Sequence, residues 1–293
     1  MEVSVEEQRK LITRRSFLKA AGAVGAAAVV LPLYAGEISR HEISIERHTI
    51  RLNRLSEQFR GLRIAQISDL HYAEYSEPYF LREVVNHVNR LKADVVVLNG
   101  DYITEGLFSV QHTIEFAYRC VEILSKIECP LRYAVLGNHD STDAEPAVID
   151  AFKIHQIPLL YNSFMPLERD GKRLWFAGTG DVVKRKMDLN QAVPPASRID
   201  GEPVILMVHE PDVFPQVAKH NVDLMLSGHT HGGQVRFPFV PPLKMLLPTF
   251  GKNYVEGLFR LGPTQLYVNR GIGTVTLPFR FNCPPEIAEI TLA

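Results

Sequence analysis

Apolar residues recur along this chain with two rhythms, one close to period two and one close to 3.6. Between Ile43 and Leu52 they alternate loosely with polar residues, which predicts an edge strand, and "LRIAQISD" (Leu62–Asp69) predicts a second strand. Leu81, Val84, Val85, Val88 and Leu91 then share one face of a helix. "ADVVVLNGD" (Ala93–Asp101) is a continuous apolar run of the kind buried on both faces of a sheet. A helix over about 110–126 leads to "RYAVLGNHD" (Arg132–Asp140), and another is expected near 146–155. "RLWFAGTGD", "PVILMVHEP", "VDLMLSGHTHGGQ", "QLYVNRGIG" and the closing "IAEITL" read as further strands. Strand and helix alternate first and strands dominate later, which predicts an α/β core with helices on its outer faces.

Composition narrows the function classes. Of 293 residues, 46% are hydrophobic and 22% charged, an ordinary globular balance. With 32 basic and 33 acidic residues the net charge is −1, and no basic stripe suggests a nucleic-acid partner. Cys120, Cys129 and Cys283 are too few and too scattered for a disulfide framework or a cysteine zinc site. Cys120 and Cys129 are expected as buried thiols, a single bridge being the alternative.

The first 36 residues read as a targeting segment. Arg14 and Arg15 precede "SFLK", and Ala20–Leu33 follows without a charge. That run falls short of the roughly 20 apolar residues that span a bilayer comfortably, and it suits the apolar part of a signal peptide. The pair of arginines with "SFLK" resembles the bacterial twin-arginine export signal, whose machinery carries folded proteins. It implies an exported protein of the periplasm or cell envelope. Leu33-Tyr34-Ala35 is a poor cleavage site, so retention as an anchor to the outer face of the membrane is the alternative. After residue 36 no repeat, low-complexity tract or Ser/Gly linker divides the chain, and 37–293 is expected to form one domain.

Chemistry concentrates where apolar runs end. Asp69 and His71 close one in "SDLH", Asp101 a second in "NGDY", and Asn138, His139 and Asp140 a third in "GNHD". His209 closes a fourth in "VHEP", and His229 with His231 a fifth in "GHTHGGQ". The carboxyl ends of buried strands in α/β folds form ligand sites, so these donors converge on one rim. Two carboxylates, an amide and four or five imidazoles exceed the needs of one tetrahedral zinc. They fit two divalent metals roughly 3.5–4 Å apart, the arrangement that clamps a phosphoryl group. Without cysteine ligands, manganese, iron or zinc is favoured.

These blocks, intact and in order from about residue 62, resemble the signature of the calcineurin-like metallophosphoesterases, and together with the twin-arginine start and the closing "NRGIGTVTLPFRFNCPPEI" the chain is most similar to the exported bacterial phosphodiesterase branch. The resemblance implies a four-layer α-β-β-α sandwich, two mixed β-sheets flanked by helices. It implies that Asp69, His71 and His231 hold one metal, that Asn138, His209 and His229 hold the other, and that Asp101 bridges both. That His229 and His231, two residues apart, serve different ions is part of what the resemblance implies. Water activated by the pair would be the nucleophile. His139 is expected to protonate the leaving oxygen or hold the phosphate, with Asp140 orienting its ring. Arg270 is a candidate phosphate ligand, and Asp181 borders the site or simply closes a turn. His41, His48, His87, His112, His155 and His220 are expected to be surface or structural.

The expected activity is hydrolysis of phosphate esters, foremost diesters. Between Phe237 and Phe250, Phe237, Phe239, Val240, Leu243, Met245, Leu246, Leu247 and Phe250 crowd one irregular loop. An apolar patch beside a phosphate site suits a lipid-linked substrate or membrane proximity, the alternative being a buried cap. Because the exported branch includes such enzymes, the resemblance makes a lipid-directed pyrophosphohydrolase or phosphatase, with a UDP-2,3-diacylglucosamine-type or phospholipid substrate, the alternative; a metal-binding interaction module without catalysis is the competing reading from another class. Replacing Arg14 and Arg15 together by lysine is expected to leave the protein in the cytoplasm of its host. Cell fractionation measures this, and unchanged export would overturn the reading of the N-terminus.

Overall fold

The computed structural model describes residues 14–72, 76–104, 106, 108–195, 201–242 and 247–293. Among the described residues, eleven strands form two mixed sheets. The first joins β1 (Ser44–Ile50), β2 (Arg63–Ile67), β3 (Val95–Asn99), β4 (Arg132–Val135) and β11 (Glu286–Leu292) in the order β1-β11-β2-β3-β4. The second joins β5 (Ser163–Arg169), β6 (Lys172–Gly178), β7 (Val204–Met207), β8 (Leu224–Ser227), β9 (Gly257–Leu261) and β10 (Thr264–Val268) in the order β5-β6-β7-β8-β10-β9. The strands β2, β3 and β4 run parallel, as do β6, β7, β8 and β10. Their carboxyl ends therefore gather on one rim of each sheet.

Period-two alternation sorts side chains between layers. Val95 and Val97 of β3 face the second sheet, where they meet Phe176, Ile205, Met207 and Leu226. Val96 and Leu98 face outward onto helices α2 (Pro78–Leu91), α3 (Val110–Leu124) and α4 (Glu145–Ile154). The helices bury the stripes expected of them, Leu81, Val84, Val85 and Val88 from α2 and Ala117, Val121 and Leu124 from α3. Pro78 suits the start of α2 because its missing N–H has no partner there anyway. The outer face of the second sheet is covered by short turns of helix carrying Val213, Phe214 and Val217. The result is the expected four-layer order, with long helices on one side only.

The helix α1 (Arg14–Leu33) precedes a tight segment, 34–41, that packs on the body. Ala35 is buried, and its carbonyl accepts the Arg280 N–H at 3.1 Å. Two strands have no counterpart in the sequence reading, β5 and β9, each the outer member of an antiparallel hairpin at a sheet edge. Phe176 lies between the sheets, fully buried and stacked on Tyr133 with ring centroids 4.8 Å apart. Phe176→Ala is expected to lower the unfolding free energy by about 3–5 kcal/mol. Leu258→Ala, on the exposed β9, should change it by less than about 0.5 kcal/mol in the same urea titration.

Candidate metal centre

The rim is built from abrupt strand ends. Asp69, His71, Asp101, His229 and His231 all have positive φ, between 45° and 73°. Each such residue costs of order 1–3 kcal/mol and persists only where its surroundings fix it. Hydrogen bonds supply that fixation: Asp69 N–H donates to the Gly100 carbonyl at 2.9 Å and His71 N–H to the Asp101 carbonyl at 3.1 Å. His229 N–H in turn donates to the Asp69 carboxylate at 2.9 Å, tying the second sheet to the first. Gly100 has φ 88°, and a Cβ there would sit 2.6 Å from the Gly137 nitrogen and 2.8 Å from His209 Nδ1. Only glycine fits at this crossing of three loops.

Two groups of buried donors lie on this rim. Asp69, His71 and His231 form one, and Asp101, His209 and His229 the other, the ligand atoms of each lying within 4.8 Å of one another. Each group takes donors from both sheets. The ring nitrogen facing away from each group is engaged: His71 Nδ1 with Thr104 Oγ1 at 2.8 Å, His209 Nδ1 with the Asn99 carbonyl at 2.6 Å, and His229 Nε2 with the Thr249 carbonyl at 2.7 Å. A ring N–H donated outward leaves the other nitrogen's lone pair aimed into the group, as metal-ligating histidines require. His71 Nε2 and His231 Nε2 stand 3.1 Å apart, a spacing that two lone pairs tolerate when a cation lies between them. The Asn138 Oδ1 is buried without a protein partner, as a ligand oxygen would be.

Electrostatics suit cation binding. Burial and the neighbouring His139 push His71 down to about 3, and burial with His209 does the same to His229, so both rings are neutral at pH 7. Burial raises Asp69 to about 6, an effect that His209 opposes. Burial also raises Asp101, yet His209, His139 and His71 together outweigh it and hold that carboxyl well below its usual range. The His209 Nε2 lies 3.0 Å from Asp101 Oδ2.

Other expected roles change. The Asp140 carboxylate accepts backbone N–H groups of Asp101 at 2.7 Å, Tyr102 at 2.8 Å, Gly137 at 2.9 Å and Ile103 at 3.3 Å. It shapes the loop under Asp101, and the expectation that it orients the His139 ring is corrected. His139 itself donates its N–H to Asp101 Oδ1 at 2.9 Å, and its ring meets His71 edge-on with centroids 4.9 Å apart. Arg270 is drawn away from a phosphate role by three carboxylates, Glu46 at 2.6 Å, Glu286 at 3.0 Å and Glu256 at 3.8 Å. Asp181 closes a turn by accepting the Lys184 N–H at 3.0 Å. His41 pairs with Glu77, His48 with Tyr267, and the three cysteines are free thiols.

The sequence reading missed Thr104, Thr249 and Arg280. Arg280 is wholly buried and donates to the carbonyls of Gly271, Gly273, Cys283 and Arg270, with Nη2 3.5 Å from His231 Nδ1. It knits the last loop against the centre. Only an arginine inside the apolar "PFRFN" hinted at it. The centre opens into a cavity of about 370 Å³ walled by His139, His229, His231, Val235, Pro248 and Leu277.

Comparison with known proteins agrees with this geometry. Residues 62–233 match the calcineurin-like phosphoesterase family model, and residues 11–30 match the signal of the twin-arginine translocation pathway. Over 290 residues the chain is 34% identical to metallophosphoesterase YkuE of Bacillus subtilis (strain 168), covering 97% of this chain and 98% of that one. It is 29% identical to phosphodiesterase YaeI of Escherichia coli (strain K12), covering 96% of this chain and all of that one. The NAD nucleotidase of Haemophilus influenzae shares the fold with a TM-score of 0.50 at 16% identity, over 72% of this chain and 45% of its own length. The chain belongs to the calcineurin-like phosphoesterases. It is a metal-dependent phosphoester hydrolase carrying a twin-arginine signal for export across the cytoplasmic membrane. Among the described residues no helix is long and apolar enough to cross a membrane.

Asp140→Ala leaves its N–H partners dry and is expected to destabilise the fold by about 1–3 kcal/mol for each one left unpaired. Asp140→Asn, which keeps one acceptor oxygen, should fall between Ala and the parent. Urea unfolding of the three proteins tests this order.

Proposed function

We propose that this chain is a phosphodiesterase working with two divalent ions, with residues 37–293 as the catalytic unit behind a 1–36 signal. One ion is held by Asp69, His71 and His231, the other by Asn138, His209 and His229, with Asp101 shared. The observation that carries this is the pair of buried donor groups lying side by side with outward-facing ring nitrogens already engaged. The nitrogen and oxygen donor set favours manganese, zinc or iron. Bound there, such ions supply charge neutralisation on the phosphoryl oxygens and a lowered pKa for the attacking water.

The protein's own groups do the rest. The neutral state of His71 and His229 keeps their lone pairs available. His139 lies on the cavity wall with its backbone fixed to Asp101, close enough to the centre to give a proton to the departing oxygen. The diester preference draws support from the relative named a phosphodiesterase. A lipid-linked phosphate near a membrane is a second reading, favoured by the loop after Val235, where Phe237, Phe239 and Val240 are exposed while Leu247 is buried; residues 243–246 lie outside the described part.

His139→Ala is expected to keep its metal content while turnover falls by about 10²–10⁴-fold. The loss should be small for bis(4-nitrophenyl) phosphate, whose leaving group needs no proton, and large for an alkyl ester. Metal analysis alongside kinetics on both substrates checks this. Equal losses would assign His139 to phosphate binding, and loss of metal would make it part of the ligand shell.

A further inference from the structure

Two further hollows adjoin the centre, and their walls differ in chemistry. On one side a cleft of about 870 Å³ carries Thr142, Asp143 and Lys184 together with the exposed Phe108 and Val110, and His139 lines both it and the central cavity. On the other side a trough of about 210 Å³ is walled by Leu31, Pro32, Ala35, Phe237, Phe279 and Phe281. Val235 lines both the trough and the central cavity. Leu277, Val275 and Pro248 continue the apolar wall from Val235 back to the donor groups. The sequence of surfaces is thus a cleft of mixed polar and apolar wall, His139, the metal centre, Val235 and a wholly apolar trough.

From this order we propose that the substrate is an amphiphilic phosphodiester, with one hydroxyl-bearing arm in the cleft and one alkyl arm along Val235 into the trough. The reading rests on the phosphodiesterase assignment and adds the identity of the two arms. A diester has two substituents on one phosphorus, and a centre with one partly polar exit and one wholly apolar exit favours a single orientation. Hydroxyl groups in the cleft exchange water for Thr142 and Asp143, whereas an alkyl chain there would strand those polar groups without partners. An alkyl chain in the trough loses contact with water and leaves no polar group unpaired. The exposure of Phe237 and the half-exposed Leu277 is explained by the same arm, since both border its path.

The test uses the full chain, because α1 supplies Leu31 and Pro32 to the trough. Ethyl, butyl, hexyl and octyl phosphoglycerol, each below its critical micelle concentration, are compared by kcat/KM with added manganese. A rise of up to about fourfold per methylene is expected until the trough is filled. Val235→Asp and Leu277→Ser should flatten that rise, and the exposed position of Leu277 spares the second variant from folding failure. Dioctyl phosphate, with an alkyl chain on both arms, should react more slowly than octyl phosphoglycerol. In parallel, calorimetric titration with octylphosphonate and ethylphosphonate should give tighter binding of the octyl compound in the parent and a smaller difference in both variants. A flat chain-length series in the parent, a slope undiminished in both variants, or dioctyl phosphate as the better substrate overturns the proposal. Turnover of bis(4-nitrophenyl) phosphate separates the two levels. If it proceeds while the series is flat, only the amphiphile assignment fails. If no diester reacts, the phosphodiesterase reading fails and the phosphonate affinities still decide the trough.

Discussion

One buried carboxylate holds the middle of this molecule together. Asp140 gathers N–H groups from the loop after β3 and from the loop after β4, at the place where Asp101 must take a left-handed conformation. Burial and the neighbouring Asp101 raise the Asp140 carboxyl, and the N–H groups it accepts oppose that rise by favouring its charged form. Around this turn Gly100 admits His209 and Gly137 to close approach, and His209 then reaches Asp101 from the opposite sheet. Strain at the strand ends and satisfaction of the backbone beneath them are two sides of one arrangement.

The division of labour between sheets follows from it. The first sheet, backed by three long helices, carries Asp69, His71 and Asp101 on rigid parallel strands. The second, backed by short helical turns, contributes His209, His229 and His231 and presents the loops that wall the cavity. A well-packed half fixes the charged donors, and a looser half shapes access. Catalytic constellations tolerate displacement of well under an ångström, so placing the carboxylates on the better-supported side is physically sensible.

Much of this was legible in the residues alone. Continuous apolar runs ending in Asp, Asn or His named the strands and the rim together, because burial and ligand placement leave marks at adjacent positions. The edge strands β5 and β9 left no such mark: they are largely exposed, and Pro166 interrupts the pattern of β5. Asp140 was legible as a rim residue but not in its role, since its partners are backbone groups that carry no sequence signal. Arg270 misled for a related reason: Glu46, Glu256 and Glu286, which engage it, lie far apart along the chain. Arg280 binds carbonyls almost exclusively, so its importance is written in topology and not in any motif.

Each donor group draws from both sheets, Asp69 and His71 facing His231, and Asp101 facing His209 and His229. Sliding or parting the sheets pulls every group apart, so ion binding and closure of the sandwich are a single linked equilibrium. An ion present at 100 times its dissociation constant would add about 2.7 kcal/mol to the folded state, comparable to a well-placed disulfide in a chain whose cysteines are free. For cargo that crosses a membrane already folded, that linkage makes the ion a non-covalent staple: whichever compartment loads it also determines how firmly the two halves stay shut.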